Sequence, residues 1–243
     1  ATQAEADAAA DAVAGRGTAS EAAFKGKVFD PDGGVREAMR LALSATRPVV
    51  ISDTQDNPGA GGDSDTMGMA NALVRNGADR AAIGVIVDPE AAAAAHAAGE
   101  GATVTLSLGA KSGIPGDVPL EASFIVEKLS DGRFVAPGPF YGGSRMNLGP
   151  SACLRIGGVR IVVGSRKAQM ADRAMYRQGG VQPEEQAILV NKSSVHFRAD
   201  FEPIAETILV CAAPGPMPVD PSALPWRRLR PGVRTAPLGA PFA

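Results

Sequence analysis

Residues that commonly build metal and redox sites are scarce in this sequence. Its 243 residues include only two histidines, His96 and His196, and two cysteines, Cys153 and Cys211. A structural or catalytic zinc site usually takes several His or Cys ligands, so the chain has little material for a complete one. The cysteines stand apart in apolar segments, which predicts buried free thiols rather than a disulfide.

Long apolar runs and an excess of one charge are also missing. The net charge is -2, so the chain has no electrostatic footprint for nucleic acid. The basic run at 226–234 lies among prolines and is interpreted as an extended tail. No apolar run approaches the roughly 20 residues of a membrane helix, and no signal peptide is visible. These features predict a cytoplasmic protein without nucleic-acid or membrane partners.

Several familiar motifs are absent as well. The sequence contains no Walker P-loop, no G-x-G-x-x-G, no H-E-x-x-H, no C-x-x-C and no G-x-S-x-G. The corresponding nucleotide, zinc-protease, redox and serine-hydrolase classes therefore have no support from motifs.

The apolar pattern that is present predicts an α/β fold. Compact β runs at 47–53 and 81–88 alternate with helical patterns at 66–76 and 89–98, which is typical of a parallel α/β unit. Helices are also predicted from the first residue to Val13 and from Val35 onward.

From residue 101 the pattern changes to short alternating β runs separated by Gly and Pro, which predicts an antiparallel middle section. A helix at 166–179, a strand at 187–191, a helical second half of 192–206 and a last strand at 206–214 follow. The predicted fold class is α/β, with a mixed sheet, flanking helices and a β-rich antiparallel middle section.

The stretch SDTQDNPGAGGDSDT, residues 52–66, is the first candidate site. It follows a strand and precedes a helix, where ligands bind in open α/β sheets. Its glycines would suit a phosphate, but its aspartates would repel one. Its oxygen ligands would suit calcium, but not in EF-hand order. Asp63 or Ser64 can instead cap the next helix, which leaves Asp53 and Asp56 at the strand end as functional candidates.

The second candidate site is NKSSVHFRAD, residues 191–200. Lys192 and Arg198 flank His196, and such a group can hold a carboxylate or stabilise an oxyanion. The alternative is a histidine satisfied by backbone hydrogen bonds. Ser193, His196 and Asp200 are too local to be interpreted as a triad, which is defined by spatial geometry. His96, inside an alanine-rich helix, is predicted to be structural or exposed.

In their order and spacing, these segments resemble the C-terminal domain of the microcystinase C family, the MlrC-type metallopeptidases. The resemblance extends over about residues 45–231. The matching segments are SDTQDNPGAGGDSDT, GVIVDPEAAAAAHAAGEGATVTLSLGAK, LSDGRFVAPGPFYGGSRMNLGPSACLRIGGVRIVV, KSSVHFRADFEPIA and VDPSALPWRRLRP. The ending after Pro231 departs from the family pattern.

The resemblance implies a zinc-dependent hydrolase that cleaves peptide or amide bonds in small, often linearised, peptides. In such enzymes the metal activates water and polarises the scissile carbonyl. The zinc ligands of the family lie in a preceding N-terminal domain, and nothing in this sequence matches them. The implied cofactor is therefore zinc bound outside this chain. The implied partners are a missing N-terminal metal-binding half, in the same polypeptide or as a separate subunit, and a small peptide substrate.

The resemblance also suggests an organisation into domains. Residues 1–44 would be a helical lead-in from the missing domain, with Ala1 near the junction because the chain starts in a helical pattern without methionine. Residues 45–231 would form the MlrC-type domain, and residues 232–243 an extended tail.

Carried onto this sequence, the resemblance implies two walls of a substrate cleft. The predicted catalytic residues are His196, Lys192 and Arg198, and the predicted metal ligands are none. The predicted substrate-binding residues are Asp53, Asp56, Asn57, Gly59, Gly61 and Ser193. Two alternatives stay open: a non-catalytic module that binds a peptide or an anion, and a free-standing metal hydrolase that uses Asp53, Asp56, Asp63 and His196.

Overall fold

A computed structural model describes residues 2–242 of the chain, in two compact units. The smaller unit consists of residues 2–27 and 218–242. It contains helix α1 (Gln3–Ala19), which is longer than predicted and begins with a capping box of Thr2 and Glu5. The predicted junction at Ala1 lies outside the described residues.

The larger unit, Val28–Met217, is built on a nine-stranded sheet. This unit contains eleven strands: β1 (Val28–Phe29), β2 (Val49–Asp53), β3 (Ala81–Val87), β4 (Thr103–Leu108), β5 (Leu120–Ser130), β6 (Arg133–Ala136), β7 (Ser144–Asn147), β8 (Ser151–Ile156), β9 (Val159–Gly164), β10 (Ile188–Asn191) and β11 (Thr207–Cys211). The order across the sheet is β1-β11-β2-β10-β3-β9-β8-β5-β4, and β6 pairs separately with β7.

The sheet is mixed, as the sequence predicted. The first six strands in that order run parallel, and β9, β8, β5 and β4 pair antiparallel. The antiparallel strands and the β6–β7 hairpin all come from residues 103–164, so the β-rich antiparallel middle section is confirmed.

Five helices belong to the larger unit. They are α2 (Pro31–Ala42), α3 (Gly68–Arg75), α4 (Pro89–Ala98), α5 (Ala174–Arg177) and α6 (Arg198–Phe201). Helices α2, α3 and α4 pack on one face of the sheet, and α5 and α6 contribute to a second core on the other face. Adjacent residues of a strand serve opposite faces: Ile83 belongs to the first core and Ala82 to the second.

Two predicted helix boundaries are wrong. Neither Asp63 nor Ser64 caps α3, because its N-cap is Met67, without a side-chain hydrogen bond. Asp63 instead forms an exposed ion pair with Lys167, and Ser64 adopts a left-handed conformation with φ of 63°. In the helix predicted at 166–179, only α5 is α-helical.

The cysteine prediction is confirmed: Cys153 and Cys211 are buried and form no disulfide in the described part of the chain. Burial raises the pKa of each thiol to about 12. Within residues 2–242, no helix is both long and apolar enough to cross a membrane.

Candidate functional site

The two candidate segments leave the sheet side by side. Strands β2 and β10 are parallel neighbours, with Ser52 opposite Asn191. Residues 54–67 follow β2 and residues 192–197 follow β10, so both loops emerge at the same carboxyl edge of the sheet. In open α/β sheets this edge is the usual place for a ligand.

A buried lysine joins the two loops. Lys192 has no exposed side-chain surface, and its Nζ donates to Asp53 Oδ2 at 2.8 Å, Asp56 Oδ2 at 3.0 Å and Thr66 Oγ1 at 2.9 Å. These contacts use all three hydrogens of the ammonium group. Sequence reasoning placed Lys192 on the wall of the cleft, whereas the structure places it inside the protein, beneath the loops.

The Asp56 carboxylate organises the loop after β2. Its Oδ1 accepts a hydrogen bond from the Ser64 amide at 2.7 Å, and its Oδ2 accepts from the Thr66 amide at 2.9 Å and hydroxyl at 3.0 Å. A Cβ on Gly62 would lie 2.6 Å from Asp56 Oδ1, so the close turn requires glycine there. Burial opposes ionisation, but Lys192 and the two amides together hold the pKa of Asp56 below its ordinary value.

Asp53 is the less satisfied carboxylate of the pair. Its Oδ1 is buried and has no hydrogen-bond partner among residues 2–242. Burial raises the pKa of Asp53, and the attraction of Lys192 offsets this only in part. For Lys192, burial favours the neutral form, but Asp53 and Asp56 outweigh it and raise the pKa of the ammonium. Lys192 contacts both carboxylates, and the additional hydrogen bonds from the Ser64 and Thr66 amides make Asp56 the better-stabilised anion.

Hydroxyl and amide groups add a second set of links between the loops. Ser52 Oγ donates to the Ser193 carbonyl at 2.7 Å. Ser194 Oγ donates to the Thr54 carbonyl at 3.0 Å and accepts from Asn57 Nδ2 at 3.1 Å. Each link crosses from one loop or strand end to the other, so the two segments form one connected structure.

An exposed histidine, His196, is linked to these two loops through Gln169. Gln169, on the loop after β9, donates through Nε2 to Ser193 Oγ at 2.7 Å and presents Oε1 to His196 Nδ1 at 3.2 Å. The Phe140 ring stacks on the imidazole, with centroids 4.4 Å apart and an interplanar angle of 26°. A Cβ on Gly59 would lie 2.2 Å from Gln169 Oε1, so the first loop closely approaches the same glutamine.

The structure separates the nine predicted site residues by exposure. Five are buried: Lys192, Asp53, Asp56, Asn57 and Ser193. Three are exposed: His196, Gly59 and Gly61. Arg198 is half-buried at the start of α6, where its guanidinium lies over the Phe197 ring and bonds to Glu202 at 3.2 Å.

Sequence reasoning missed three residues of this arrangement. Thr66 lies at the end of the first loop, where it was counted only as the start of a helix. Gln169 and Phe140 come from the loop after β9 and from the β6–β7 connection, and both meet His196. Neither is near residues 191–200 in sequence, so only the tertiary structure reveals the contacts.

The residues of the described chain do not fit a complete zinc site. Between residues 2 and 242, no group of three or more His, Cys, Asp or Glu side chains could hold a metal ion. The set Asp53, Asp56, Asp63 and His196 is not gathered, because the first two hold Lys192 and Asp63 pairs with Lys167. The free-standing metal hydrolase therefore has no ligand group here.

The fold and the geometry of the two loops define an α/β domain. Its candidate site consists of polar, hydrogen-bonded loops at the carboxyl ends of parallel strands. Residues 51–228 match the family described as MlrC C-terminus, and the chain belongs to that family. It is 32% identical to Microcystinase C from Sphingomonas sp over 180 aligned residues. The aligned region covers 72% of this chain and 34% of that protein.

A solved structure agrees with this assignment. The crystal structure of the protein named "Putative metallopeptidase" from Mesorhizobium sp. BNC1 matches with a TM-score of 0.72 and 26% identity, over 86% of this chain and 41% of that one. The chain therefore spans well under half the length of both relatives.

Proposed function

We propose that this chain is the C-terminal part of a zinc-dependent peptidase or amidohydrolase that acts on small, linearised peptides. It would supply one side of the substrate cleft, and the metal would be held by a part of the protein outside residues 2–242. Membership of the MlrC C-terminus family and the names of the two relatives support the class. When bound, the zinc would activate the attacking water.

The observation that carries the proposal is the position of His196. Its Nδ1 faces the amide oxygen of Gln169, whose amide nitrogen already donates to Ser193. With Gln169 Oε1 as the acceptor, this network favours a proton on Nδ1 and leaves Nε2 as the acceptor nitrogen. In the proposed role, His196 Nε2 accepts a proton from the attacking water and then donates it to the departing amine nitrogen, while Phe140 keeps water from one face of the ring.

The other predicted residues have roles set by their exposure. Arg198 would attract a substrate carboxylate. Gly59 and Gly61, exposed and without side chains, would let a peptide backbone approach closely, with Asn57 and Ser193 holding that surface from below. Lys192, Asp53 and Asp56 would be positioning residues, because Lys192 is fully enclosed and ties the loops together.

The test uses the polypeptide extended by the region of the relatives that this chain does not span. Its hydrolysis of a linear peptide is measured with His196→Ala and with His96→Ala as the matched control. His96 lies in α4, where its Nε2 is 3.0 Å from the Ser151 carbonyl. We expect His196→Ala to lower kcat about 100-fold and to alter the pH profile, with His96→Ala near the native rate.

Three results decide against the proposal or its parts. Equal rates for the two variants would remove His196 from the chemistry. Full peptidase activity in the 243-residue chain without metal would overturn the proposal that the catalytic metal is held by another part of the protein. Saturable peptide binding without turnover, unaffected by a chelator, would identify the non-catalytic binding module instead.

Gly59→Ala tests the contact between the first loop and the histidine. The added Cβ would meet Gln169 Oε1, the end of a flexible side chain, so the glutamine should move away from His196 with little loss of stability. We expect about a tenfold lower kcat and a loss of stability of no more than about 1.5 kcal/mol, from the strained Gln169–Ser193 hydrogen bond. Gly15→Ala is the control, because nothing lies within 4 Å of a Cβ there. Unchanged kcat in Gly59→Ala would show that Gln169 does not position His196.

A further inference from the structure

The connection between β6 and β7, residues 137–143, forms a hairpin tip that reaches His196. Phe140 in this tip stacks on the imidazole, yet its own side chain is 41% exposed. In the described part of the chain, β6 and β7 pair with each other and not with the nine-stranded sheet. The main-chain ladder of that sheet therefore does not fix the tip, and other contacts must set its place.

Tyr141 ties the tip to Gln169. Its hydroxyl donates to the Gln169 main-chain carbonyl at 2.8 Å. Its ring meets the Phe140 ring edge to face, with centroids 4.9 Å apart and an interplanar angle of 75°. Burial, together with the nearby Asp172 carboxylate, raises the pKa of Tyr141 to about 12, so the hydroxyl keeps its proton at neutral pH and remains a donor.

Gly138 fixes the beginning of the tip. Its amide donates to Asp172 Oδ2 at 2.6 Å. A Cβ at Gly138 would lie 2.7 Å from that oxygen and 3.0 Å from Asp200 Cγ, so two buried carboxylates enclose this glycine. Asp172 follows Gln169 by three residues, and Asp200 follows His196 by four. The two segments that bring Gln169 and His196 together thus also hold the tip.

The orientation of the imidazole depends on this arrangement. His196 is exposed, so burial in a core does not orient it. The Gln169 contact holds Nδ1 at 3.2 Å, and the Phe140 stack restricts the tilt of the ring. We propose that Tyr141 is a positioning residue for His196: its hydroxyl fixes the hairpin tip, and the tip sets the imidazole through Phe140. The catalytic consequence rests on the proposed function, because a misplaced Nε2 slows proton transfer without weakening substrate binding.

The first test is proton NMR of the full chain, which requires no activity. The chain has two histidines, and His196→Ala and His96→Ala assign their ring signals. The ring current of Phe140 should shift the His196 signal upfield, and Phe140→Leu should remove this shift. Tyr141→Phe keeps the aromatic ring and loses the hydroxyl. We expect it to move the His196 signal towards the position found in Phe140→Leu, with the His96 signal unchanged.

Tyr176→Phe is the matched control, because Tyr176 is the other tyrosine of the chain. It is fully buried in the second core, where its hydroxyl donates to the Val190 carbonyl, also at 2.8 Å. This variant loses at least an equivalent hydrogen bond, so an effect of lost stability alone would appear in it as well. We expect the His196 signal to keep its native position.

The second test measures peptide hydrolysis by the extended polypeptide described above. Tyr141→Phe should lower kcat about fivefold with KM unchanged, and Tyr176→Phe should stay near the native rate. A lower kcat at constant KM is expected when a group that acts in the transition state is misplaced.

Four results would overturn the inference. They are a His196 signal that Phe140→Leu leaves unchanged, a native His196 signal in Tyr141→Phe, an equal displacement in Tyr176→Phe, and an unchanged kcat in Tyr141→Phe. A native extended polypeptide that hydrolyses no peptide would reject the proposed function instead. In that case the NMR displacement in Tyr141→Phe would still support the positioning of the His196 ring by Tyr141.

Discussion

At the residue scale, Lys192 carries a charge with no exposed surface, held by Asp53 and Asp56. We expect Lys192→Met to lower the free energy of unfolding by about 3–5 kcal/mol, because it leaves buried carboxylates without their cation. Urea denaturation followed by circular dichroism measures the loss.

Lys167→Met is the matched control for this change. Lys167 pairs with Asp63 at 3.0 Å, but the two side chains are 45% and 57% exposed. A solvated pair of this kind contributes less than about 1 kcal/mol. Similar losses in the two lysine variants would contradict the buried network. Adding Asp53→Asn to Lys192→Met should recover part of the loss, since one buried charge is then removed.

The two carboxylates around Lys192 predict opposite pH dependences. Burial raises the pKa of Asp53 above its ordinary value of 3.8, so the folded state binds the proton more tightly than the unfolded state. Stability from Asp53 is therefore lost as pH rises above about 4 through its folded pKa. We expect Asp53→Asn to lose less stability than the native chain between about pH 4 and pH 7, as measured by urea denaturation.

Asp56 provides the contrasting variant. Burial opposes its ionisation, but Lys192 and its amide donors hold its pKa below 3.8. Its contribution is present above the unfolded pKa and is lost as pH falls through the folded pKa. Asp56→Asn should therefore flatten the acid side of the stability profile, below about pH 4, whatever its absolute stability. Identical profile shapes for the two variants would show that the two carboxylates are equally stabilised, and would contradict the opposite pKa directions of Asp53 and Asp56.

At the scale of elements, Asp65 fastens the segment after β4 to the first candidate loop. Its carboxylate accepts hydrogen bonds from the Lys111 amide at 2.8 Å, the Ser112 amide at 2.7 Å and the Ser112 hydroxyl at 2.7 Å. We expect Asp65→Ala to cost about 2–3 kcal/mol of unfolding free energy and to speed hydrogen exchange at both amides.

Ser112→Ala is the graded control for Asp65→Ala. It removes the hydroxyl contact and keeps both amide contacts, so its cost should stay at about 0.5–1.5 kcal/mol. Exchange at the Lys111 amide should remain slow in this variant. If the serine and aspartate variants lost equal stability, the amide contacts would not be what holds the segment.

Elements with a strong local signal were predicted well. The apolar run before the first loop became β2, and Pro89 and Gly99 mark the first residue and the C-cap of α4 as expected. The predicted helix does not form at residues 166–173, and this has a physical reason. There the Asp200 carboxylate binds the Arg173 amide, and the Asp172 carboxylate binds the Gly138 and Ala174 amides. The distant Asp200 and the local Asp172 thus accept from the Arg173 and Ala174 amides, which would bond to backbone carbonyls in a helix.

At the scale of the whole molecule, the chain covers a minority of the length of its relatives. Because the described residues contain no group of three or more potential ligands, we expect calorimetric titration of this chain with zinc to show no stoichiometric binding. The polypeptide extended by the remaining region of the relatives should bind zinc. Tight binding by the 243-residue chain alone would place the metal in this domain and contradict our assignment.

The sequence by itself determined the α/β class, the parallel strand ends with loops at 52–66 and 191–200, and the resemblance to the MlrC C-terminus. These follow from local periodicity and from residue order, which a linear chain displays directly. Tertiary structure alone decided that Lys192 is enclosed between two aspartates and that His196 meets Gln169 and Phe140. The residues in these contacts are separated by 27 to 139 positions in the sequence and are brought together by the order of strands in the sheet. No local sequence pattern encodes such contacts.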